Sequence, residues 1–153
     1  MPTNSPANYR FGHSCVLFQK KLYIFGGKSK QDQYTYYADL EIYDLDNDKW
    51  TTPIIYTKNT LKLRKSHAAL IVGQFMWLHG GITEDNEISG DAYLLGFSPL
   101  KWYPCSVSGN APAVSGHSCC LVLSSDIMYN PKLNIYKYPE LGVRRQKNKV
   151  WIS

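Results

Sequence analysis

The chain has 153 residues, of which 44% are hydrophobic, and its formal net charge at pH 7 is +5. A chain of this length and apolar content can bury the core of one ordinary domain. No apolar run follows Met1 and no stretch of about eighteen apolar residues occurs, so the sequence predicts neither a signal peptide nor a membrane span. It contains no nucleic-acid-reading motif, and we expect no nucleic-acid partner.

The first two predicted strands end at a glycine pair. Residues 15–18 form a near-continuous apolar run, as expected of an inner strand that is buried on both faces. Residues 22–25 are aromatic and branched and run into Gly26 and Gly27, where positive φ angles and close backbone approach are expected. Residues 43–50 then predict a strand, an acidic turn and a strand.

The acidic turn resembles the opening of a calcium loop only in part. Asp44, Asp46 and Asp48 alternate as calcium ligands do. However, Lys49 stands where the sharp-turn glycine belongs, and Ile55 stands where the bidentate Glu belongs. We therefore interpret this stretch as a hairpin turn.

The same order of features recurs about fifty residues later. A second apolar run covers residues 68–72, and residues 91–102 align with residues 39–50 without a gap. The histidines that begin successive copies, His13, His67 and His117, are separated by 54 and then by 50 residues. Self-similarity at this spacing is typical of a repeat architecture.

With His, Gly-Gly, Tyr and Trp as landmarks, this period resembles the kelch repeat, whose unit is one four-stranded blade of a β-propeller. The resemblance covers nearly all of residues 10–123. It implies an all-β fold of kelch-type β-propeller blades, each with four antiparallel strands, in an incomplete ring. The landmark residues are then structural: His13, Gly26, Gly27, Tyr43, Trp50, His67, Gly80, Gly81, Trp102 and His117.

The repeat boundaries predict a polar lead over residues 1–9, a first blade with its connection over 10–65, a second over 66–115 and a partial third over 116–153. In the third copy, Asn130 and Pro131 stand where a glycine pair is expected. We interpret residues 124–145, approximately, as an insertion and residues 150–153 as the resumed second strand. An unrelated tail is the alternative.

About two and a half blades cannot close a ring, because propellers typically use about four to eight. The chain is then a fragment of a longer protein, completes itself by self-association, or docks on a partner. We favour the first, and the start at Met1 favours further blades on the C-terminal side.

The repeat histidines could suggest a metal site. Equivalent positions in three blades are rotated about the propeller axis, whereas metal ligands must converge within about 2.1 Å of one ion. We therefore predict a repeated structural bond from a ring nitrogen to a turn or neighbouring strand, and no metal or other cofactor. A copper-radical oxidase, known on kelch-like propellers with Tyr and His ligands and a Tyr–Cys crosslink, is the enzymatic alternative.

Two arginines are candidates for partner binding. Arg10 and Arg64 each lie three residues before a repeat histidine, and Val114 takes that place in the third copy. The kelch resemblance implies that such residues line the rim of the central channel, where arginines could hold a carboxylate or an acidic peptide. The alternative is that each arginine braces the neighbouring blade.

The loop over residues 28–37 is the second candidate. Its Lys28, Lys30, Tyr34 and Tyr36 combine charge with tyrosines, which are rigid amphipathic anchors at many binding surfaces. Packing of the tyrosines over the outer strand is the alternative.

In the second copy, Glu84, Asp85 and Glu87 predict solvated charge or an acidic contact for a basic partner. The densest basic stretch, residues 144–149, predicts a solvated loop, with a phosphate or acidic-surface contact as the alternative.

The four cysteines, Cys15, Cys105, Cys119 and Cys120, form no Cys-x-x-Cys pair. We expect small buried thiols in a reducing, cytoplasmic compartment.

Together, these patterns predict a non-catalytic protein–protein interaction module that acts as a scaffold or adaptor, with another protein as its partner and no membrane contact. The alternatives are an enzyme's propeller and a truncated fragment without activity of its own.

Overall fold

The computed structural model describes residues 9–32, 35–55, 61–106 and 111–121, together with the backbone of three short strands between residues 136 and 152. All regular elements in these parts of the chain are β-strands, which confirms the predicted all-β fold. Within the same ranges, no helix is long and apolar enough to cross a membrane.

The first blade is a four-stranded antiparallel sheet in the order β2-β3-β5-β6. A two-stranded ribbon of β1 and β4 extends it where the chain enters and leaves the inner strands. The strands are β1 (Arg10–Phe11), β2 (Ser14–Phe18), β3 (Lys21–Phe25), β4 (Lys28–Ser29), β5 (Leu40–Asp44) and β6 (Lys49–Thr51).

The second blade repeats this plan, with the sheet order β12-β11-β9-β8 and a ribbon of β7 and β10. Its strands are β7 (Arg64–Lys65), β8 (Ala68–Val72), β9 (Phe75–His79), β10 (Ile82–Thr83), β11 (Ala92–Phe97) and β12 (Leu100–Cys105). Two kelch-type blades with an unclosed ring are therefore present, as predicted.

The C-terminal strands form a separate antiparallel sheet of β13 (Tyr136–Lys137), β14 (Val143–Gln146) and β15 (Lys149–Ile152). The predicted resumed strand thus lies in β15, but it pairs with β14, which falls in the predicted insertion. Residues 144–146, expected in a loop, lie on a strand instead, and residues 111–121 contain none. The remaining residues of the insertion lie outside the described parts, and the domain boundaries stay predictions.

The acidic segment between β5 and β6 is a hairpin turn, as predicted. The Asp44 carboxylate accepts hydrogen bonds from the backbone N–H groups of Asp46 and Asn47, at 3.0 and 3.1 Å. It also accepts one from Lys21 Nζ at 2.6 Å. These bonds, the Lys21 bond first, hold the pKa of Asp44 well below its usual range.

The hydrophobic core lies between the two blades. Aromatic side chains interlock there: Phe18 stacks on Phe97 with ring centroids 4.2 Å apart, and Phe25 lies 4.8 Å from Trp102. The buried members of this core are Val16, Tyr23, Phe25 and Leu40 from the first blade and Met76, Leu78, Tyr93, Leu95 and Trp102 from the second. The burial of these side chains is the main force that joins the blades.

Each blade has one face that would pack on a preceding blade. This face is covered in the second blade, and no described residue covers it in the first. In the second blade, cross-strand pairing places Ala69, Ile71, Met76, Leu78, Leu95 and Trp102 on this face, which packs on the first blade and is called the packed face below. The equivalent residues of the first blade are Cys15, Leu17, Leu22, Ile24, Tyr43 and Trp50, called the open face below.

The prediction that residues 15–18 are buried on both faces is wrong. Their burial alternates along β2, with Val16 buried and Leu17 57% exposed. The physical reason is that no described residue covers the open face. The expected burial of the cysteines is also wrong for Cys15 and Cys120, which are both exposed.

Candidate partner-binding groove

Glycine is required where one blade's chain meets the next. Gly26 has φ +67°, and a Cβ there would lie 2.8 Å from Arg64 O and 2.9 Å from His67 Cε1. At the equivalent Gly80, a Cβ would lie 2.6 Å from Val114 O and 2.9 Å from His117 Cε1. Any side chain at these positions would push the following copy away.

Backbone hydrogen bonds repeat at the same junctions. Gly27 N–H donates to Arg64 O at 2.9 Å, and Gly81 N–H donates to Val114 O at 2.8 Å. The sequence repeat therefore encodes a repeated contact between copies, and it is formed once between the blades and once between the second blade and residues 111–121.

Two of the three repeat histidines, His67 and His117, contact the preceding copy through their rings, whereas His13 is exposed. His67 Nε2 lies 2.8 Å from Ser14 Oγ of the first blade, and the ring meets Phe25 edge-on. His117 likewise meets His79 edge-on, with a nitrogen–nitrogen distance of 3.3 Å. Burial, and then the charge of Arg64, lowers the pKa of His67 to about 3, so its imidazole is neutral at pH 7. In the described ranges, no three His, Cys, Asp or Glu residues are grouped to hold a metal ion.

The side chains of the two candidate arginines each form hydrogen bonds inside their own blade. Arg64 is fully buried, and its guanidinium binds both carboxylate oxygens of Asp91, at 2.5 and 3.0 Å, and Gly80 O at 3.0 Å. The Arg10 side chain is 4% exposed and binds Asp39 and Glu41. The expectation of rim arginines that present charge to a partner is therefore wrong, because both side chains are buried and paired. The alternative of bracing the neighbouring blade also differs from the structure, since each arginine braces its own blade. The aspartates were missed, although they occupy equivalent repeat positions.

An open groove of about 540 Å³ lies where the loops of the two blades approach each other. It is lined by Lys28 and Tyr36 from the first blade and by Glu84, Asp85 and Asn86 from the second, with Leu63 from the connection between them. The Lys28 ammonium lies over the Tyr36 ring, 4.9 Å from its centroid. Burial, and then the nearby Glu84 charge, raises the pKa of Tyr36, so its hydroxyl stays protonated at pH 7.

Hydrogen bonds to the backbone and to Ser29 hold both walls of the groove. On the first wall, Tyr36 is bridged to Lys28 of β4, and Ser29 Oγ accepts bonds from the N–H groups of Gln31 and Asp32. On the second wall, Glu84 N–H donates to Leu63 O at 2.8 Å. The loops are thus fixed to the ribbons of their blades.

Salt bridges tie the acidic loop to the connection between the blades. Lys62 Nζ lies 2.7 Å from Asp85 and 3.6 Å from Glu87. All three acidic residues of this loop, Glu84 included, are exposed, as the solvated interpretation expects.

The structure brings together only some of the predicted partner-binding residues. Lys28 and Tyr36 line the groove, whereas Lys30 is exposed outside its lining and Tyr34 lies outside the described residues. Sequence reasoning missed Leu63 and Asn86. Leu63 lies in the connection between the blades. The sequence feature that could have identified it is an apolar residue directly before the repeat position of Arg64.

The fold and the repeated junctions define a kelch-type β-propeller segment. Residues 1–129 match the KLHDC2/KLHL20/DRC7 Kelch-repeats domain family. The chain belongs to this Kelch-repeat family.

The relatives are much longer than this chain. It is 30% identical over 132 residues to the Rho GTPase-activating protein gacHH of Dictyostelium discoideum. The matched region is 82% of this chain and 8% of that protein. It is 27% identical over 124 residues to human Kelch domain-containing protein 1, or 80% of this chain and 30% of the relative. The chain thus spans less than a third of either relative's length.

Proposed function

We propose that this chain is a non-catalytic protein–protein interaction module that binds a partner polypeptide in the groove between its two blades. Kelch-repeat domains generally mediate protein interactions. The observation that supports the proposal here is the groove itself, which combines a tyrosine, a leucine and both signs of charge on loops fixed to a stiff scaffold.

The groove has the composition of a binding site more than that of a catalytic one. Its apolar contacts come from Tyr36 and Leu63, and aromatic anchors carry much of the binding energy at protein interfaces. The titratable groups on the second wall are exposed, and Asp85 is paired with Lys62. A scaffold or adaptor role follows. The cytoplasmic location expected from the sequence stays a prediction.

A random-peptide display selection on the purified chain tests this function. We expect enriched peptides that lose at least about tenfold in affinity for Tyr36→Ala, because an aromatic anchor contributes about 2 kcal/mol. Tyr103→Ala is the matched control, since Tyr103 is an exposed tyrosine of β12 that does not line the groove. Failure to enrich any peptide, or equal loss with both variants, would overturn the proposal.

The open face is a second candidate surface for protein interaction. Its residues match, position by position, a face that packs on a neighbouring blade, and Leu17 is 57% exposed there. We propose that another blade covers it, either from a longer chain or through self-association. Light scattering over a concentration series tests self-association, and Leu17→Lys should weaken it because a charge cannot be buried unpaired.

A further inference from the structure

The two walls of the groove carry opposite charge. On the first wall, Lys28 forms no ion pair with any described residue, and its ammonium rests on Tyr36. On the second, the Glu84 carboxylate accepts only a long bond of 3.4 Å from the Leu63 N–H among the contacts of the described residues. Both groups therefore keep much of their charge available to a ligand.

The neighbouring charges on the second wall do not cancel Glu84. Asp85 is neutralised by Lys62, and Glu87 lies further from the same ammonium, at 3.6 Å. The single charge of Lys62 thus offsets only one of the three negative charges of Glu84, Asp85 and Glu87, so the wall stays negative. The apolar contacts of the groove, the Tyr36 ring and Leu63, lie beside these two charges.

We propose that the groove selects an extended segment with an apolar side chain flanked by an acidic residue on one side and a basic residue on the other. The acidic residue lies against Lys28, the apolar residue on Tyr36 and Leu63, and the basic residue against Glu84. The extended segment crosses the groove from the first wall to the second with these three side chains facing into the groove. Side chains on one side of an extended segment alternate along it, so the three residues are spaced by two positions. This inference rests on the proposed function and adds the chemistry of the partner.

Ion pairs between side chains as exposed as these determine specificity more than affinity. An exposed ion pair contributes about 0.2–1 kcal/mol, which corresponds to at most about a fivefold change in affinity. Reversing one charge replaces attraction by repulsion and should therefore change which peptide is preferred.

The test is a display library of nine peptides. Each peptide has a central Phe and carries Glu, Ser or Lys at the positions two residues before and two residues after it, in a Gly/Ser background. The purified chain should enrich peptides with one Glu and one Lys by about two- to fivefold over those with two Glu or two Lys. Because the chain direction in the groove is free, both orders should be enriched.

Charge-reversed variants make the test sharp. Lys28→Glu should shift the preference to peptides with two Lys, and Glu84→Lys should shift it to peptides with two Glu. The double variant should restore the preference for one of each, since both charges are again present on opposite walls. Lys20→Glu is the matched control, because Lys20 is exposed and lies outside the groove. Circular dichroism checks that each variant keeps its β-structure.

The outcomes separate the two proposals. If peptides bind and Tyr36→Ala abolishes binding, but charge makes no difference, the inference is overturned and the groove remains a binding site. If no peptide of either library binds, both fail. Preferences that follow the net charge of the chain, so that Lys20→Glu behaves like Lys28→Glu, would also overturn the inference.

Discussion

The packed face of the second blade and the open face of the first are built from equivalent positions, yet their residues lie in different surroundings. Leu95 and Met76 on the packed face are fully buried, whereas Leu17 on the open face is 57% exposed. The repeat therefore specifies the shape of a blade, and the neighbouring blade determines how much each residue contributes to stability.

The same difference accounts for the position of the proposed binding groove between the blades. The residues that join the blades are buried and paired, as His67 of the second blade is with Ser14 of the first. The loops beyond that junction are held in place by it but keep exposed side chains. The groove is thus a consequence of the packed interface.

A large effect is expected inside the second blade, where the Arg64 side chain lies next to the junction with the first blade. Arg64→Ala removes the bonds to Asp91 and Gly80 O and leaves a partly buried carboxylate without its cation. We expect a loss of about 3 kcal/mol in the free energy of unfolding, measured in urea. Lys20→Ala, which removes only the exposed pair with Asp46, should cause no measurable change. Similar losses for both would contradict the bracing role.

The same substitution on the two faces sharpens the comparison. Leu95→Ala should cost about 2–5 kcal/mol, because it leaves a cavity in the core between the blades. Leu17→Ala should cost at most about 0.5 kcal/mol, because Leu17 is mostly exposed. Equal losses in urea unfolding would mean that the open face is covered in solution.

A pH-dependent effect is expected where His79 meets His117. Burial, and then the His117 charge, lowers the pKa of His79 to about 4 in the folded chain, against 6.5 ordinarily. The unfolded chain therefore takes up the proton first, so this contribution to stability is complete above about pH 6.5 and is lost as the pH falls toward about 4.

His79→Phe tests this contribution with a residue taken from the chain itself, since Phe25 holds the equivalent position. Between pH 4 and 6.5, the unfolding free energy of the variant should fall less steeply, by up to about 1.4 kcal/mol per pH unit. The other groups acting on His79 are Asp91 and Arg64, and they are unchanged. An identical slope in both proteins would show that the histidine pair does not carry the effect.

The smallest effect concerns thiol reactivity. Partial burial raises the pKa of Cys15 on the open face, but its side chain is exposed, whereas burial raises the pKa of Cys119 to about 11. A thiol reagent at pH 8 should therefore modify Cys15 several-fold faster, as followed by mass spectrometry. A slower reaction at Cys15 with increasing protein concentration would indicate that another copy covers the open face.

The blades could be predicted from the sequence because each landmark residue recurs with a fixed physical task. Gly26 and Gly80, for instance, leave space for the next copy's histidine, and a repeated residue in a repeated role is visible as a pattern. Whether a neighbouring blade covers a given face could not be predicted in the same way. Leu17 and Ile71 look alike in sequence, and only the presence of a neighbouring blade distinguishes them.

The groove was predictable only in part for a related reason. Lys28 and Tyr36 stand out as charge and aromatic residues in one loop, whereas their placement beside Glu84 depends on how the two blades pack. The arginines show the opposite case. Their spacing before the histidines identified them, but their role in bracing their own blades is visible only from the positions of Asp39 and Asp91.

Hydroxyl-radical footprinting of the chain, with and without a selected peptide, tests the central claim most directly. Leu17 should be modified strongly and Leu95 weakly in both samples, and the peptide should protect Tyr36. Protection of Leu17 with no change at Tyr36 would contradict the account, because it would place the partner on the open face and not in the groove.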